Sequence, residues 1–132
     1  MDAAQRKDAI KNGFKALGEG NGEVLLGLID DAVEWTIIGS TKFSGVFRGK
    51  AEVLERLLGP LSGLLDGHLH ITVDNVIAEG DFVAVQGRGE SKTAAGGTYN
   101  NTYCWVYRWR GDRVIAITEY LDTEVVTASF GR

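Results

Sequence analysis

The sequence is poor in the residues that build several common kinds of site and anchor. It contains one cysteine, Cys104, which has no partner for an internal disulfide. No run approaches the roughly 20 apolar residues of a membrane-spanning helix, and the N-terminus lacks the apolar stretch of a signal peptide. We therefore expect an intracellular, cytoplasmic protein with no membrane partner.

Positive charge is also scarce. The chain has 14 lysines and arginines against 18 aspartates and glutamates, which gives a net charge of -4, and its basic residues are scattered. Because such a surface repels phosphate backbones, nucleic acid is not an expected partner.

Motifs for metals, phosphates and covalent catalysis are missing as well. His68 and His70 share one face of a predicted strand, but no cysteine or second carboxylate follows at ligand spacing, so a surface position is expected and no metal. The glycine-rich segment 18–22 lacks the preceding strand and the Lys-Ser or Lys-Thr pair of a phosphate loop, and it indicates a turn between helices. Cys104 has no histidine nearby in sequence, which favours an inert packed thiol, and no serine-nucleophile motif occurs. No cofactor is expected.

Apolar residues, by contrast, are plentiful. Of 132 residues, 44% are apolar and 24% are charged, which is enough for one hydrophobic core. Since no linker, repeat or low-complexity tract interrupts the chain, we predict a single domain over residues 1–132.

Predicted helices concentrate in the first half of the chain. Residues 3–17 carry apolar side chains near helical spacing, and Asn21 can accept a hydrogen bond from the first free N–H groups of a short second helix. Residues 51–65 indicate a third helix, which Pro60 should end or kink.

Predicted strands dominate the second half. From Asp31 the apolar period becomes two, which indicates a first strand, and residues 45–49 indicate a short strand or turn. Polar breaks at Gly80-Asp81 and Gly111-Asp112 favour hairpins between the later strands. Those later strands are predicted over residues 68–79, 82–93, 98–110 and 113–122. The pattern predicts an α+β domain in which a curved antiparallel sheet surrounds an apolar pocket.

The pleat of the last two strands indicates which side chains could face this pocket. In the last strand Glu119 ends an apolar row formed with Ile115 and Ile117. If that row faces the interior, burial disfavours the carboxylate and raises the pKa of Glu119, which could then exchange protons near neutral pH. The alternative is that Glu119 faces solvent or pairs with a neighbouring strand. One face of the preceding strand carries Tyr99, Asn101, Tyr103, Trp105 and Tyr107.

Other polar and glycine positions leave alternatives open. Asp122 lies on the opposite face of the pleat, where capping of the terminal turn is favoured over a direct chemical role. Gly87 and Gly89 share one face of their strand, which leaves room for a ligand or marks a bulge or bend. Arg88 and Glu90 would then point outward, as a solvated or dimer-facing row.

Four segments carry a resemblance to a known group of proteins. In chain order they are residues 35–39 (WTIIG), 43–49 (FSGVFRG), 99–105 (YNNTYCW) and 118–123 (TEYLDT). They resemble the nuclear transport factor 2-like superfamily, and more closely its SnoaL-like and ketosteroid-isomerase-related branch. The resemblance implies a cystatin-like roll, a cone-shaped antiparallel sheet packed on three helices from the N-terminal half. Many members bind or transform small, largely apolar molecules inside the cone.

The resemblance also bears on chemistry. Ketosteroid isomerases carry an acid-base carboxylate and two oxyanion donors at the positions that correspond here to Ile37, Phe14 and Trp105, so steroid isomerisation is not expected. SnoaL-like cyclases need little more than one acid-base residue and a shaped pocket, and Glu119 could supply that residue.

Limonene-epoxide-hydrolase-like enzymes use an Asp-Arg-Asp arrangement, and Glu119 matches one of its carboxylates. The other two positions fall on Gly87 and Gly89, unless a register shift of one residue brings in Arg88 and Glu90.

Two functions remain open after this comparison. The first is an enzyme that acts without a metal on a small apolar or polyketide-like metabolite, as an isomerase, cyclase or hydrolase, with Glu119 as the acid-base residue and Asp122 as a weaker candidate. The second is a non-catalytic ligand-binding or assembly module of the same fold. An unpaired aromatic sheet surface would favour a homodimer in either case, since exposed apolar patches rarely stay exposed. The residues expected to bind the small molecule are Trp35, Ile37, Asn101, Tyr103, Trp105 and Ile117.

Overall fold

Helices and strands alternate at first and then give way to a run of long strands. The computed structural model describes residues 1–132. Its helices are α1 (Ala3–Gly18), α2 (Glu23–Leu26), α3 (Lys50–Glu52), a π-helix (Val53–Leu58), α4 (Gly59–Leu64) and α5 (Thr123–Phe130). Its strands are β1 (Ile29–Ile37), β2 (Gly45–Arg48), β3 (Leu65–Glu79), β4 (Phe82–Thr93), β5 (Thr98–Arg110) and β6 (Arg113–Leu121). The predicted α+β class is confirmed. No helix is both long and apolar enough to cross a membrane.

Local signals explain where α1 and α2 begin. The Asp2 carboxylate accepts a hydrogen bond from the Gln5 backbone N–H, and the Gln5 side chain accepts one from the Asp2 N–H, both at 2.9 Å. This reciprocal capping box satisfies two N–H groups that the helix cannot satisfy itself. Asn21 accepts from the N–H of Glu23, the first residue of α2, at 3.2 Å, which confirms the predicted hydrogen bond.

A buried arginine attaches α1 to the end of the sheet. The Arg6 guanidinium donates to the carbonyl oxygens of Gly111 at 2.9 Å and Gly80 at 3.3 Å, and to the Asp81 carboxylate at 3.0 Å. The two predicted hairpin turns therefore meet at one side chain of the helix, and this contact fixes α1 across the sheet.

The six strands form one sheet in the order β2-β1-β6-β5-β4-β3. Successive strands from β3 to β6 pair as antiparallel hairpins, as predicted. The sheet is not antiparallel throughout, however, because β1 pairs with β6 in parallel. From β3 the chain crosses the sheet through the hairpins to β4, β5 and β6. Strand β6 then lies beside β1 and runs in the same direction.

The helical segment after β2 does not end at Pro60. It continues to Leu64, and the residues ahead of Pro60 adopt a π-helix. A wider turn is one of the ways in which a helix accommodates a residue that lacks an N–H. Strand β3 then begins at Leu65, earlier than residue 68, the predicted start.

Side chains alternate between the two faces of the sheet as the pleat requires. On β5 every second residue from Tyr99 to Trp109 is buried, and on β4 the same holds from Val83 to Thr93. Register shifts interrupt the β1–β6, β3–β4 and β5–β6 ladders, and such bulges bend a strand. The curved inner face packs on the helices and encloses the core.

Candidate functional site

A cavity of about 210 Å³ lies between the inner face of the sheet and the helices. It is lined by 21 residues, 19 of them hydrophobic, and Glu119 is the only charged one. Leucines from α1, α2, the π-helix and α4 form one side, and aromatic side chains from β1 and β5 form the other. The lining comprises Phe14, Leu17, Gly22, Leu25, Leu26, Ile29, Trp35, Ile37, Phe43, Leu57, Leu58, Leu61, Leu69, Ile71, Tyr99, Tyr103, Trp105, Tyr107, Glu119, Leu121 and Val126.

Glu119 is held between two strands. Its backbone pairs with Trp105 on β5 and with Ile37 on β1, and its carbonyl oxygen accepts from the Ile38 N–H at 3.2 Å. The Trp105 indole Nε1–H donates to Glu119 Oε1 at 2.9 Å. These contacts direct the carboxyl group into the cavity in one orientation.

Burial controls the protonation of this carboxyl group. Desolvation raises the pKa of Glu119 from 4.5 to about 7, against the opposing effect of the Trp105 and Trp35 indoles. The Trp35 indole lies close enough to lower the pKa of Glu119, but its buried N–H makes no hydrogen bond of ordinary geometry. Glu119 can therefore be either acid or base near neutral pH.

A second polar group lies in the cavity wall. The hydroxyl oxygens of Tyr99 and Tyr103 are 3.1 Å apart, and Asn101 Nδ2 donates to the Tyr99 hydroxyl at 3.0 Å. The Tyr103 ring also stacks on Trp105 with a centroid distance of 4.6 Å. Desolvation raises the pKa of both tyrosines, so both stay protonated.

The space beside Gly87 and Gly89 is occupied by other side chains. A Cβ at Gly89 would lie 2.9 Å from Tyr103 Cε2, and one at Gly87 would lie 2.9 Å from the Thr72 carbonyl oxygen and 3.3 Å from Trp105. The two glycines therefore let the stacked rings lie close to β4, and they do not leave room for a ligand.

The register of β4 decides the comparison with an Asp-Arg-Asp site. Gly87 and Gly89 face inward, whereas Arg88 and Glu90 are exposed on the outer face. Arg88 makes an ion pair with Asp74 at 2.9 Å there. The shifted register does not occur, and no arginine lines the cavity.

The SnoaL-like domain family matches residues 10–117. The chain belongs to this family.

Solved structures agree with the fold of this SnoaL-like domain. A nuclear transport factor 2-like protein of Burkholderia xenovorans is 26% identical, with 98% of each chain covered and a TM-score of 0.76. TerC, co-crystallized with polyporic acid, is 22% identical over 90% of this chain and 92% of its own, with a TM-score of 0.77. A Jannaschia protein classed as a SnoaL-like polyketide cyclase is 15% identical over 98% and 93%, with a TM-score of 0.80. No curated protein matches the sequence.

The SnoaL-like domain brings five of the residues singled out in its sequence to the cavity wall: Trp35, Ile37, Tyr103, Trp105 and Glu119. Ile117 and Asn101 are buried but do not line the cavity. Asp122 caps α5, where its carboxylate accepts from the N–H groups of Glu124 at 3.1 Å and Val125 at 3.4 Å.

Tyr99 and the helix leucines were not singled out as site residues. Tyr99 could have been found, because it shares the pleat face of Tyr103. The leucines of α2, the π-helix and α4 carry no sequence signal that separates a cavity wall from ordinary core.

The two histidines lie away from the cavity. His68 and His70 are exposed on β3, and no group of three or more histidine, cysteine, aspartate or glutamate side chains is arranged to hold a metal ion.

Proposed function

We propose that the chain is an acid-base enzyme that binds a small apolar cyclic metabolite in the cavity, with Glu119 as the group that takes up and returns a proton. The observation that carries this proposal is the placement of one buried carboxyl group, with a pKa of about 7, in an otherwise hydrophobic cavity. Such a pKa allows efficient proton transfer in either direction at neutral pH. Isomerases, cyclases and hydrolases that work without a metal all fit this arrangement.

The cavity volume bounds the size of the metabolite. An apolar cavity of roughly 150 Å³ can hold a benzene molecule, and this one measures about 210 Å³. The volume suits a molecule with one or two rings better than a four-ring steroid. Steroid isomerisation is disfavoured for a second reason. Ile37, Phe14 and Trp105 lie at the positions where ketosteroid isomerases carry their acid-base carboxylate and two oxyanion donors.

Two proteins of the same fold agree with this ligand class. TerC was co-crystallized with polyporic acid, and the Jannaschia protein is classed as a polyketide cyclase. Because they share only the fold with this chain, the argument for the substrate class rests on the cavity itself.

The proposal can be tested without the physiological substrate. 2-Tetralone is a two-ring ketone whose hydrogens next to the carbonyl exchange in deuterium oxide when a base removes them. We expect the protein to accelerate this exchange, followed by NMR, and Glu119→Gln to lower the acceleration by about a hundredfold or more. Glu90→Gln, which changes an exposed carboxylate on the outer face, is the matched control.

Equal exchange rates for the wild type and Glu119→Gln would overturn the assignment of Glu119. Binding of 2-tetralone without any accelerated exchange would favour the alternative function, a non-catalytic ligand-binding module.

We further propose that a second copy of the chain covers the outer face of the sheet. A row of uncharged side chains crosses all six strands at one level of the register. Ile77 at one end and Val46 at the other are 54% and 37% exposed, and large exposed apolar surfaces mark interaction sites. Because the same row on a second copy is equally uncharged, the two rows can pack against each other without burying a charge from the row itself. The row consists of Ile77, Ala84, Val106, Thr118, Thr36 and Val46.

A further inference from the structure

Asn101 has its amide orientation determined by backbone groups. Its Oδ1 accepts hydrogen bonds from the N–H groups of Thr102 at 2.7 Å and Asp122 at 3.0 Å. Its Nδ2 donates to the Asp122 carbonyl oxygen at 3.1 Å and to the Tyr99 hydroxyl at 3.0 Å. Exchanging the oxygen and nitrogen of the amide would bring donors against donors, so Asn101 must donate to Tyr99.

The two tyrosine hydroxyls then have one hydrogen more than their contacts use. Tyr99 and Tyr103 carry one hydroxyl hydrogen each, and the pair shares a single hydrogen bond of 3.1 Å. If Tyr103 donates to Tyr99, the Tyr99 hydrogen has no acceptor in the protein. If Tyr99 donates to Tyr103, the same is true of the Tyr103 hydrogen. Either arrangement leaves one hydroxyl donor unused.

This unused donor belongs to a buried part of the cavity wall. Tyr99 and Tyr103 are 3% and 5% exposed, and both line the cavity. A buried donor without a partner is costly, and such groups in folded proteins nearly always have an acceptor. No other acceptor of the protein lies within hydrogen-bond distance of either hydroxyl, so the acceptor has to come from the contents of the cavity.

We propose that the Tyr99–Tyr103 pair is a specificity site, which binds the carbonyl oxygen of a cyclic apolar ligand, and that Asn101 is a positioning residue for it. The inference deepens the proposed function, since it assigns a functional group to the ligand of the same cavity. Asn101 acts through Tyr99 and does not touch the ligand.

Glu119 offers the same carbonyl a competing donor, but only when it is protonated. With a pKa of about 7, it is ionised and accepts hydrogen bonds at about pH 9. The tyrosines, whose pKa values are raised by burial, still donate at that pH. Measurements at about pH 9 therefore separate the two donors.

The test compares 2-tetralone with tetralin, the hydrocarbon of the same ring system. The quantity measured is the dissociation constant of 2-tetralone divided by that of tetralin. At about pH 9 we expect this ratio to be about tenfold higher in the double variant Tyr99→Phe/Tyr103→Phe than in the wild type. Tyr103→Phe alone should keep most of the ketone preference, because Asn101 still orients the Tyr99 hydroxyl. An unchanged ratio in the double variant would overturn the proposal.

Infrared spectroscopy of the wild type gives a readout that needs no variant. A hydrogen bond from a tyrosine should lower the carbonyl stretching frequency of bound 2-tetralone relative to 2-tetralone in a hydrocarbon solvent. An unshifted band at about pH 9, or a shift seen only below about pH 7, would contradict the assignment, since the latter identifies Glu119 as the donor. Hydrogen exchange of the ketone reports on Glu119 separately, so either proposal can fail while the other stands.

Discussion

At the scale of single residues, Glu119 shows how a carboxyl group gains an unusual pKa. Two strands hold it against Trp105, and the cavity around it contains no cationic side chain and almost no polar surface. The one indole hydrogen bond supports the ionised form but does not compensate for desolvation. Glu119 therefore keeps its proton to a higher pH in the folded chain than in the unfolded chain.

This difference makes stability depend on pH. The folded state binds the proton more tightly, so the contribution of Glu119 to the free energy of unfolding is largest below pH 4.5 and falls as the pH rises from 4.5 to about 7. The contribution of Glu119 to this fall is roughly 3 kcal/mol. Urea unfolding of the wild type and Glu119→Gln at about pH 5 and about pH 8 measures it. Glu119→Gln should lack this contribution, whereas the exposed Glu90→Gln should retain it, and parallel pH profiles for all three would contradict the assigned pKa.

The same protonation should govern activity. Proton abstraction needs the carboxylate, so the exchange rate of 2-tetralone per bound ligand should rise with pH and level off above about pH 7. A rate that is flat from about pH 5 to about pH 9 after correction for the buffer reaction would argue against Glu119 as the base.

The Asn101 side chain makes more hydrogen bonds than any other side chain at or beside the cavity. Replacing it with alanine removes four hydrogen bonds, two accepted from backbone N–H groups, one donated to the Asp122 carbonyl oxygen and one donated to the Tyr99 hydroxyl. We expect Asn101→Ala to lower the free energy of unfolding by about 3 kcal/mol. Asn100→Ala, on the exposed face of the same strand, should change it by less than about 0.5 kcal/mol. Similar values for the two variants would show that the network contributes little.

At the scale of elements, β4 is shaped by the rings that pack on it. A Cβ at Gly89 would meet the Tyr103 ring, and a Cβ at Gly87 would meet the Thr72 carbonyl oxygen and the Trp105 ring that stacks on Tyr103. The absence of these two side chains therefore determines how closely the aromatic wall of the cavity approaches the strand.

Alanine at either strand glycine should destabilise the protein. The added methyl group would meet the Thr72 carbonyl oxygen at Gly87 or the Tyr103 ring at Gly89, and overpacking of this kind costs about 1–3 kcal/mol. Gly63→Ala is the matched control, because this glycine lies in α4 with nothing within 4 Å of its would-be Cβ. It should stabilise the helix by about 0.5–1 kcal/mol. Thermal unfolding of the three variants tests the contrast, which a neutral Gly89→Ala would refute.

At the scale of the whole molecule, the sheet has two faces with different tasks. The inner face encloses the cavity, and the outer face carries the uncharged row that we propose to bind a second copy. Val106 is in the middle of this row, between Ala84 and Thr118.

A charge in the middle of the row should separate the two copies. We expect the wild type to sediment as a dimer at micromolar concentration and Val106→Lys to sediment as a monomer, because a lysine there would be buried without a partner. Thr98→Lys, at the exposed end of the same strand, should remain dimeric. A wild type that sediments only as a monomer would exclude the proposed interface.

Much of this molecule follows from sequence pattern alone. The alternation of apolar and polar residues specified most strand boundaries, the inward face of β5 and the inward face of β6 from Ile117 onward, because side-chain period is a property of the local backbone. The prediction was wrong for Ile115, because a register shift in the β5–β6 ladder makes Val114 the buried residue there. The same reasoning placed Glu119 on the row with Ile117 and allowed it to be recognised as the best proton-transfer candidate.

Long-range contacts decided the rest. The parallel pairing of β1 with β6, the leucines that close the cavity and the rings beside Gly87 and Gly89 all join residues that are far apart in the chain. Pattern could place Asn101 on the inner face, but only the Asp122 backbone, 21 residues later, turns its amide away from the cavity and toward Tyr99. The two-residue period of a strand specifies the face on which a side chain lies. The hydrogen-bond partners of that side chain depend on which distant segments pack beside it.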